Sequence, residues 1–132
     1  MAGLGSMNVV LDTCALLALA GGTLPESASA AVRHAPQAWV SAVTAWEVAI
    51  KVAAGKLRLK EPPANWFAAL LERYDLKEAP LDAPIACAAA ALPPIHRDPF
   101  DRVIVALAGA QGLAIVTSDE QIRQYPQITT IW

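Results

Sequence analysis

The sequence is short of charge, of cysteine and of long hydrophobic runs, and each shortage excludes something. Only 17% of its 132 residues are charged, against roughly 25% in an ordinary globular chain. The shortage is not that of a disordered protein, because 55% of the residues are hydrophobic and disorder needs low hydrophobicity with high net charge. Ten Lys and Arg face twelve Asp and Glu, for a net charge of -2. A protein that neutralises many phosphates at once is expected to be basic. A long, non-specific footprint on DNA is therefore not expected, whereas a small catalytic site acting on nucleic acid is compatible with this balance. The two cysteines, Cys14 and Cys87, match no zinc or redox spacing. Both lie among Ala and Leu and read as buried thiols of a reducing cytoplasm.

Mean hydropathy is +0.39, yet no run is long enough to cross a membrane, which takes about 18 apolar residues or more. The longest uncharged stretch, Val103 to Thr117, is broken by Gln111 and Gly112. No basic segment precedes the first apolar run, so no signal peptide is read. A Gly-rich phosphate loop is also missing, which argues against nucleotide hydrolysis. Residues 1–6, ahead of Met7, read as an expression-tag remnant, and residues 7–132 as a single domain.

What the chain has instead is alanine, 28 residues of it, in a regular succession of short apolar segments. Asn8–Leu11, Ala38–Val40, Lys77–Leu81, Leu113–Thr117 and Ile128–Ile131 read as strands. Between them, Thr13–Ala20, Pro25–His34, a segment from Ser41 or Thr44 to near Gly55, Pro62 to Tyr74, and Pro84–Leu92 read as helices. A further helix opens at Asp98-Pro99 and stops at Gly109 to Gly112, and a short one covers Asp119–Gln124. The strands are continuous in Val, Ile and Leu rather than alternating. This predicts an α/β fold, a three-layer α/β/α arrangement around a mainly parallel sheet. In such sheets ligands bind outside the carboxyl ends of the strands.

Five acids fall at such places. Asp12 ends the first strand and could cap the next helix. A charge between Val-Val-Leu and an apolar helix is nevertheless costly unless paired. Glu47 follows the second strand, either as the back-reaching member of a Thr44-x-x-Glu47 capping box or as a site residue. Asp98 and Asp101 open a helix, with Asp98 at its cap and Asp101 one step further in. Asp119 follows the fourth strand, where it or Ser118 could cap. Carboxylates gathered at one sheet end repel one another and raise each other's pKa. A cation resolves the conflict, and oxygen ligands suit Mg²⁺ or Mn²⁺. Neither His34 nor His96 has zinc spacing; His34 reads as a surface residue, and His96 as a candidate phosphate contact. Cys14, amid apolar residues, is a poor nucleophile.

Four segments together resemble the PIN-domain ribonucleases, and most closely the VapC-type toxins of toxin–antitoxin pairs. They are Val9-Val10-Leu11-Asp12-Thr13; Ser41 to Lys51, with Gly55-Lys56-Leu57 after it; His96-Arg97-Asp98-Pro99-Phe100-Asp101-Arg102; and Leu113 to Asp119. The resemblance spans Asn8 to Trp132. It implies a PIN-like fold and catalytic and metal-binding roles for Asp12, Glu47, Asp101 and Asp119. Mg²⁺ or Mn²⁺ would bind Asp12 and Asp101, completed by Glu47 and Asp119 directly or through water. Thr13 would support the site, with Asp98 and Ser118 as further supporting candidates. Lys51, Lys56 and Arg102 are candidates for RNA phosphates, although Lys51 also stands one turn from Glu47 as an i,i+4 ion pair. The implied activity is RNA cleavage by metal-activated water in the cytoplasm, with no membrane role. The implied partners are a cognate antitoxin and a second copy in a homodimer or hetero-oligomer. The apolar surplus suits such interfaces, with Leu16–Leu24 and the helices around Ala28–Val32 and Trp66–Leu71 as candidates. The rivals are a non-catalytic PIN-like binding module and another metal-dependent phosphohydrolase. A haloacid-dehalogenase-like phosphatase would need a second Asp where Cys14 stands, and a receiver domain an acidic pair that is missing.

Overall fold

The computed structural model describes residues 7–132, so the expected tag remnant at 1–6 lies outside the described residues. Strand β1 (Val9–Leu11) leads into helices α1 (Thr13–Gly21) and α2 (Glu26–His34). Strand β2 (Ala38–Ser41) is followed by α3 (Ala42–Ala53) and α4 (Pro63–Arg73), and β3 (Leu76–Ala79) by α5 (Ala83–Ala91) and α6 (Pro99–Gln111). Strand β4 (Ala114–Val116), a 3₁₀ turn (Ile122–Gln124) and β5 (Thr130–Ile131) complete the chain.

The five strands form one sheet in the order β3-β2-β1-β4-β5, and every pairing is parallel. The central strands β1 and β4 are buried on both faces, which is why they read as continuous apolar runs. Val9 and Leu11 pack on one side with Ala28 and Val32 of α2 and Phe67 and Leu70 of α4. Val10, between them, packs on the other side with Ile104 and Leu107 of α6. One strand thus serves two cores, as the period of two requires. After β3 the chain returns to the opposite side of β1, so the crevice above β1 and β4 is a switch point of the sheet.

The glycine stops act as expected. Gly22 and Gly112 adopt φ of 74° and 66°, and the following residues donate back to the helix, Thr23 to Ala18 at 2.9 Å and Leu113 to Ala108 at 3.0 Å. Such left-handed closures satisfy the last carbonyls at little cost only with glycine.

Five expectations need correction. The third strand starts at Leu76 and ends at Ala79, because Leu76 and Ala79 are its buried members while Lys77 and Glu78 face out. The last strand shrinks to Thr130–Ile131, and only Ile122–Gln124 of the Asp119–Gln124 segment is helical, as 3₁₀. Both cysteines are exposed. Cys14 is the outward member of a turn whose neighbours Thr13, Ala15 and Leu16 are buried, and α5, which carries Cys87, buries only Ala89. Ala28, Ala31, Val32, Phe67 and Leu70 belong to the core. The outward apolar surface lies on α5 and at Trp46, Ile50 and Leu81. Among the described residues no single helix is long and apolar enough to cross a membrane.

Candidate active site

The crevice is built on the parallel register that sets Leu11 of β1 beside Val116 of β4. The next residues on each strand, Asp12 and Thr117, therefore meet. Asp12 is 2% exposed and uses its two oxygens differently. Oδ1 accepts the Ala15 N–H at 2.8 Å, capping α1, while Oδ2 accepts the Thr117 hydroxyl. The cap and the site are therefore the same residue. Burial above all raises the Asp12 pKa; the bonds from Thr117 and Ala15 offset this in part, and the Asp119 and Glu47 charges add to it.

Thr117 is the supporting residue that sequence reading missed, having favoured Ser118. Ser118 is exposed, whereas the Thr117 hydroxyl both donates to Asp12 and accepts the Asp119 N–H at 2.9 Å. The signal was available in the register, because the first residue past β4 must face the first residue past β1.

Asp119 likewise divides its carboxylate. Oδ1 accepts the N–H groups of Gln121 and Ile122 at 2.8 and 2.9 Å, and Oδ2 lies 3.2 Å from His96 Nε2. Partial burial pushes its pKa up, but the Ile122 N–H, His96 and the Gln121 N–H outweigh this and hold it below the usual value. Asp101 stands in the first turn of α6 with Oδ2 3.0 Å from the same His96 Nε2. Its pKa is raised to about 7, by burial first and then by the Asp98 charge; His96 opposes the shift, while Asp12 and Asp119 add to it. Asp98 itself is the cap of α6, its Oδ1 accepting from Phe100 and Asp101 at 2.8 and 3.4 Å.

His96 is the hub of this arrangement. It is buried, and its Nδ1 accepts the Asp98 N–H at 3.1 Å. A ring nitrogen that accepts a backbone N–H carries no proton, so Nε2 is the N–H that faces both carboxylates. Nε2 and an oxygen from each of Asp101 and Asp119 lie within 4.8 Å of one another. Replacing His96 by Ala should weaken Mn²⁺ binding by about 10- to 100-fold, the usual effect of losing a group that orients ligands. His96→Gln, whose amide can still donate, should recover part of it; isothermal titration on folded variants decides.

Glu47 joins the crevice from α3. The Thr13 hydroxyl donates to its Oε1 at 2.7 Å. Having one proton, Thr13 then accepts from Thr44, 3.2 Å away. Lys51 Nζ lies 3.4 Å from Glu47 Oε2, the i,i+4 pair. The capping box does not form: Ser41 caps α3 through Val43, and Thr44 is wholly buried in the helix.

Arg102 is the residue whose surroundings depart most from expectation. Its guanidinium donates to the carbonyls of Ala90, Leu92, Pro93 and His96 at 2.9 to 3.3 Å. It clasps the end of α5 and the His96 loop to α6, a structural role. Arg102→Ala should destabilise the fold by about 2 kcal/mol, since charged donors contribute roughly 1.5–3 kcal/mol. Arg102→Lys should recover little of this, lacking the planar fork. Urea denaturation measures both; unchanged midpoints would refute the clasp.

Three carboxylates, Asp12, Asp101 and Asp119, are thus held rigid at one sheet end, with Glu47 beside them. Asp12 and Asp101 are raised in pKa, by burial first and then by neighbouring carboxylates, an excess of negative charge that a hard divalent cation would relieve. The donor set fits Mg²⁺ or Mn²⁺.

Comparison with known proteins gives the family. The PIN domain family matches residues 9–128. Ribonuclease VapC22 of Mycobacterium tuberculosis is 31% identical over 112 residues, covering 83% of this chain and 85% of its own. Among solved structures, VapBC2 from Rickettsia felis bound to a promoter DNA fragment aligns with a TM-score of 0.68 at 16% identity, over 94% of this chain and 97% of that one. A toxin–antitoxin complex from Klebsiella pneumoniae aligns with 0.65 at 21% identity, over 92% and 96%. The chain belongs to the PIN-domain family, and within it to the VapC type.

Proposed function

We propose that this protein is a Mg²⁺- or Mn²⁺-dependent endoribonuclease, the toxin of a cytoplasmic toxin–antitoxin pair. The observation that carries the reading is the acid cluster at the sheet end, where oxygens of Asp101 and Asp119 lie with His96 Nε2 within 4.8 Å of one another beside the buried Asp12. Burial and like charge raise the Asp12 and Asp101 carboxyls. Asp12, Asp101 and Asp119 would hold the ion, with Glu47 completing the site directly or through water. When bound, the ion supplies Lewis acidity toward a phosphodiester and lowers the pKa of water. The chain does the positioning. Ala15 and Thr117 lock Asp12, His96 spans Asp101 and Asp119, and Thr13 orients Glu47. A water oriented by these carboxylates attacks phosphorus in line, and the broken P–O bond leaves a 3′-hydroxyl on one fragment.

A toxin requires a restraint. The R. felis VapBC2 and K. pneumoniae complexes support a cognate antitoxin as partner of this chain. The outward alanines of α5 support a homodimer or a larger hetero-oligomer. The test is cleavage of single-stranded RNA by the antitoxin-free protein. Activity should require Mg²⁺ or Mn²⁺, vanish in EDTA and be absent from Asp12→Asn. Cleavage that survives both controls would refute the metal-site reading.

A further inference from the structure

Beside the acids, between α3 and the start of α6, lies an open cavity of about 460 Å³, within the size range of small-ligand clefts, roughly 300–1,000 Å³. Two acids, Glu47 and Asp98, and three cations, Lys51, Lys56 and Arg97, line it together with Ile50 and Phe100. At its lip Trp46 of α3 meets Phe100 of α6 edge to face, ring centroids 5.1 Å apart. Trp46 is 58% exposed and Ile50 44%, two of the three large hydrophobics that face solvent among the described residues. A Trp left that open beside a hydrolytic centre has no packing role sufficient to explain it.

The charges point the same way. Elsewhere the cations are engaged within the chain: Arg33 with Glu26, Arg123 with Glu120, Arg102 with carbonyls, Lys77 over Trp39 and Arg73 over Tyr74. Among the described residues Lys56 and Arg97 make no ion pair, and both are exposed. Beyond Lys56 the chain runs non-helical with alternating burial, Leu57 and Leu59 half-buried, so that Arg58 and Lys60 face out in turn. In a chain of net charge -2, Lys51, Lys56 and Arg97 thus gather at one cavity, beside the exposed Trp46 and the half-buried Phe100.

We infer that the cavity is a single-stranded RNA subsite, which stacks a base on Trp46 and Phe100 and holds the flanking phosphates on Lys51, Lys56 and Arg97. A cationic groove combined with an open aromatic platform is the recognition chemistry of unpaired nucleotides, whose faces are free to stack. A duplex keeps its bases stacked on one another and offers the aromatics nothing. The inference rests on the ribonuclease reading for the substrate class, and locates the nucleotide next to the scissile phosphate.

The probe is a ten-nucleotide fluorescein-labelled oligouridine, titrated by anisotropy in EDTA so that no cleavage intervenes. Trp46→Ala should weaken binding about tenfold, in line with base–aromatic stacking. Lys56→Glu with Arg97→Glu should weaken it by about tenfold or more and flatten its salt dependence. All three side chains are exposed, so melting temperatures should stay constant. RNA duplex of equal length should bind without sensitivity to Trp46. Unchanged affinity in both variants overturns the subsite. So does a Trp46→Ala variant that binds RNA normally but sediments as a monomer where the parent is a dimer, for then a second copy covers the patch. The two readings fail separately. Trp46-dependent binding without Mg²⁺-dependent cleavage leaves the subsite and sinks the ribonuclease, and cleavage indifferent to Trp46 does the reverse.

Discussion

Asp12→Asn should cut RNA cleavage by on the order of a thousandfold, the scale of losing one preorganised charge in a catalytic site, while the metal-free protein stays as stable as before or gains. The two halves of this result have one cause. Asp12 is almost wholly buried and its carboxyl is raised by that burial. Its negative charge is therefore costly to the metal-free fold, and on the proposed function it is an ion that would offset that cost. Asn keeps the shape. Its oxygen can still accept from Ala15, and its NH₂ can donate to the Thr117 oxygen once that hydroxyl turns. If Asp12 were only the cap of α1, Asn would preserve everything, since it caps as well as Asp. Unchanged cleavage by a folded Asp12→Asn protein would reduce Asp12 to that cap. The parallel change at Thr117, to Val, should lower activity less and stability more, because it leaves a buried carboxylate oxygen and the Asp119 N–H without their shared partner.

The second large effect is in stability against pH. Stripped of metal, the protein should become less stable as pH rises from 5 to 8. The sign follows from Asp101, whose folded pKa is about 7 against an ordinary 3.8. Between those values the folded state holds the proton that the unfolded state has released, so unfolding is favoured as pH increases. The stabilising contribution is fully present below about pH 4 and is lost by about pH 7. Asp12, also raised, acts in the same direction. Asp119 is lowered and acts oppositely, giving up its contribution only on acidification below its ordinary range, outside this window. Each pKa unit is about 1.4 kcal/mol, and because Asp101 shares its proton with close neighbours about 1–2 kcal/mol is expected, roughly 3–8 °C in melting temperature for a chain this size. Mn²⁺ at one hundred times its dissociation constant should return about 2.7 kcal/mol at pH 8, and much less at pH 5, where it competes with protons. Asp101→Asn should flatten both trends. A metal-free protein that gains stability from pH 5 to 8 would show that these carboxyls are not raised.

Much of this site was legible in the chain because its parts are local. Asp98-Pro99 starts a helix by its own geometry, glycines end α1 and α6, and three hydrophobic residues before Asp12 make a strand that must end in water or at a partner. The four acids could be picked out for the same reason, as charges placed where strands stop. What could not be read was how each carboxylate divides its two oxygens. Asp12 and Asp119 each satisfy a backbone cap with one oxygen and the site with the other, so asking whether they were caps or ligands posed a false choice. His96 and Arg102 lie six residues apart with similar prospects of touching phosphate. Packing sends His96 inward between two acids and folds Arg102 back onto the carbonyls that α5 leaves free.

The sequence by itself determined the class of fold and the order of its elements, because strand period and helix stops are short-range properties, and the cost of a buried charge marked out the acids proposed to hold a cation. Tertiary structure alone decided the supporting set. Thr117 meets Asp12 across 105 residues through the β1–β4 register, His96 takes its tautomer from the Asp98 N–H, and Trp46 meets Phe100 only where α3 and α6 converge. Those contacts depend on which strands become neighbours, and nothing local in a parallel sheet records that.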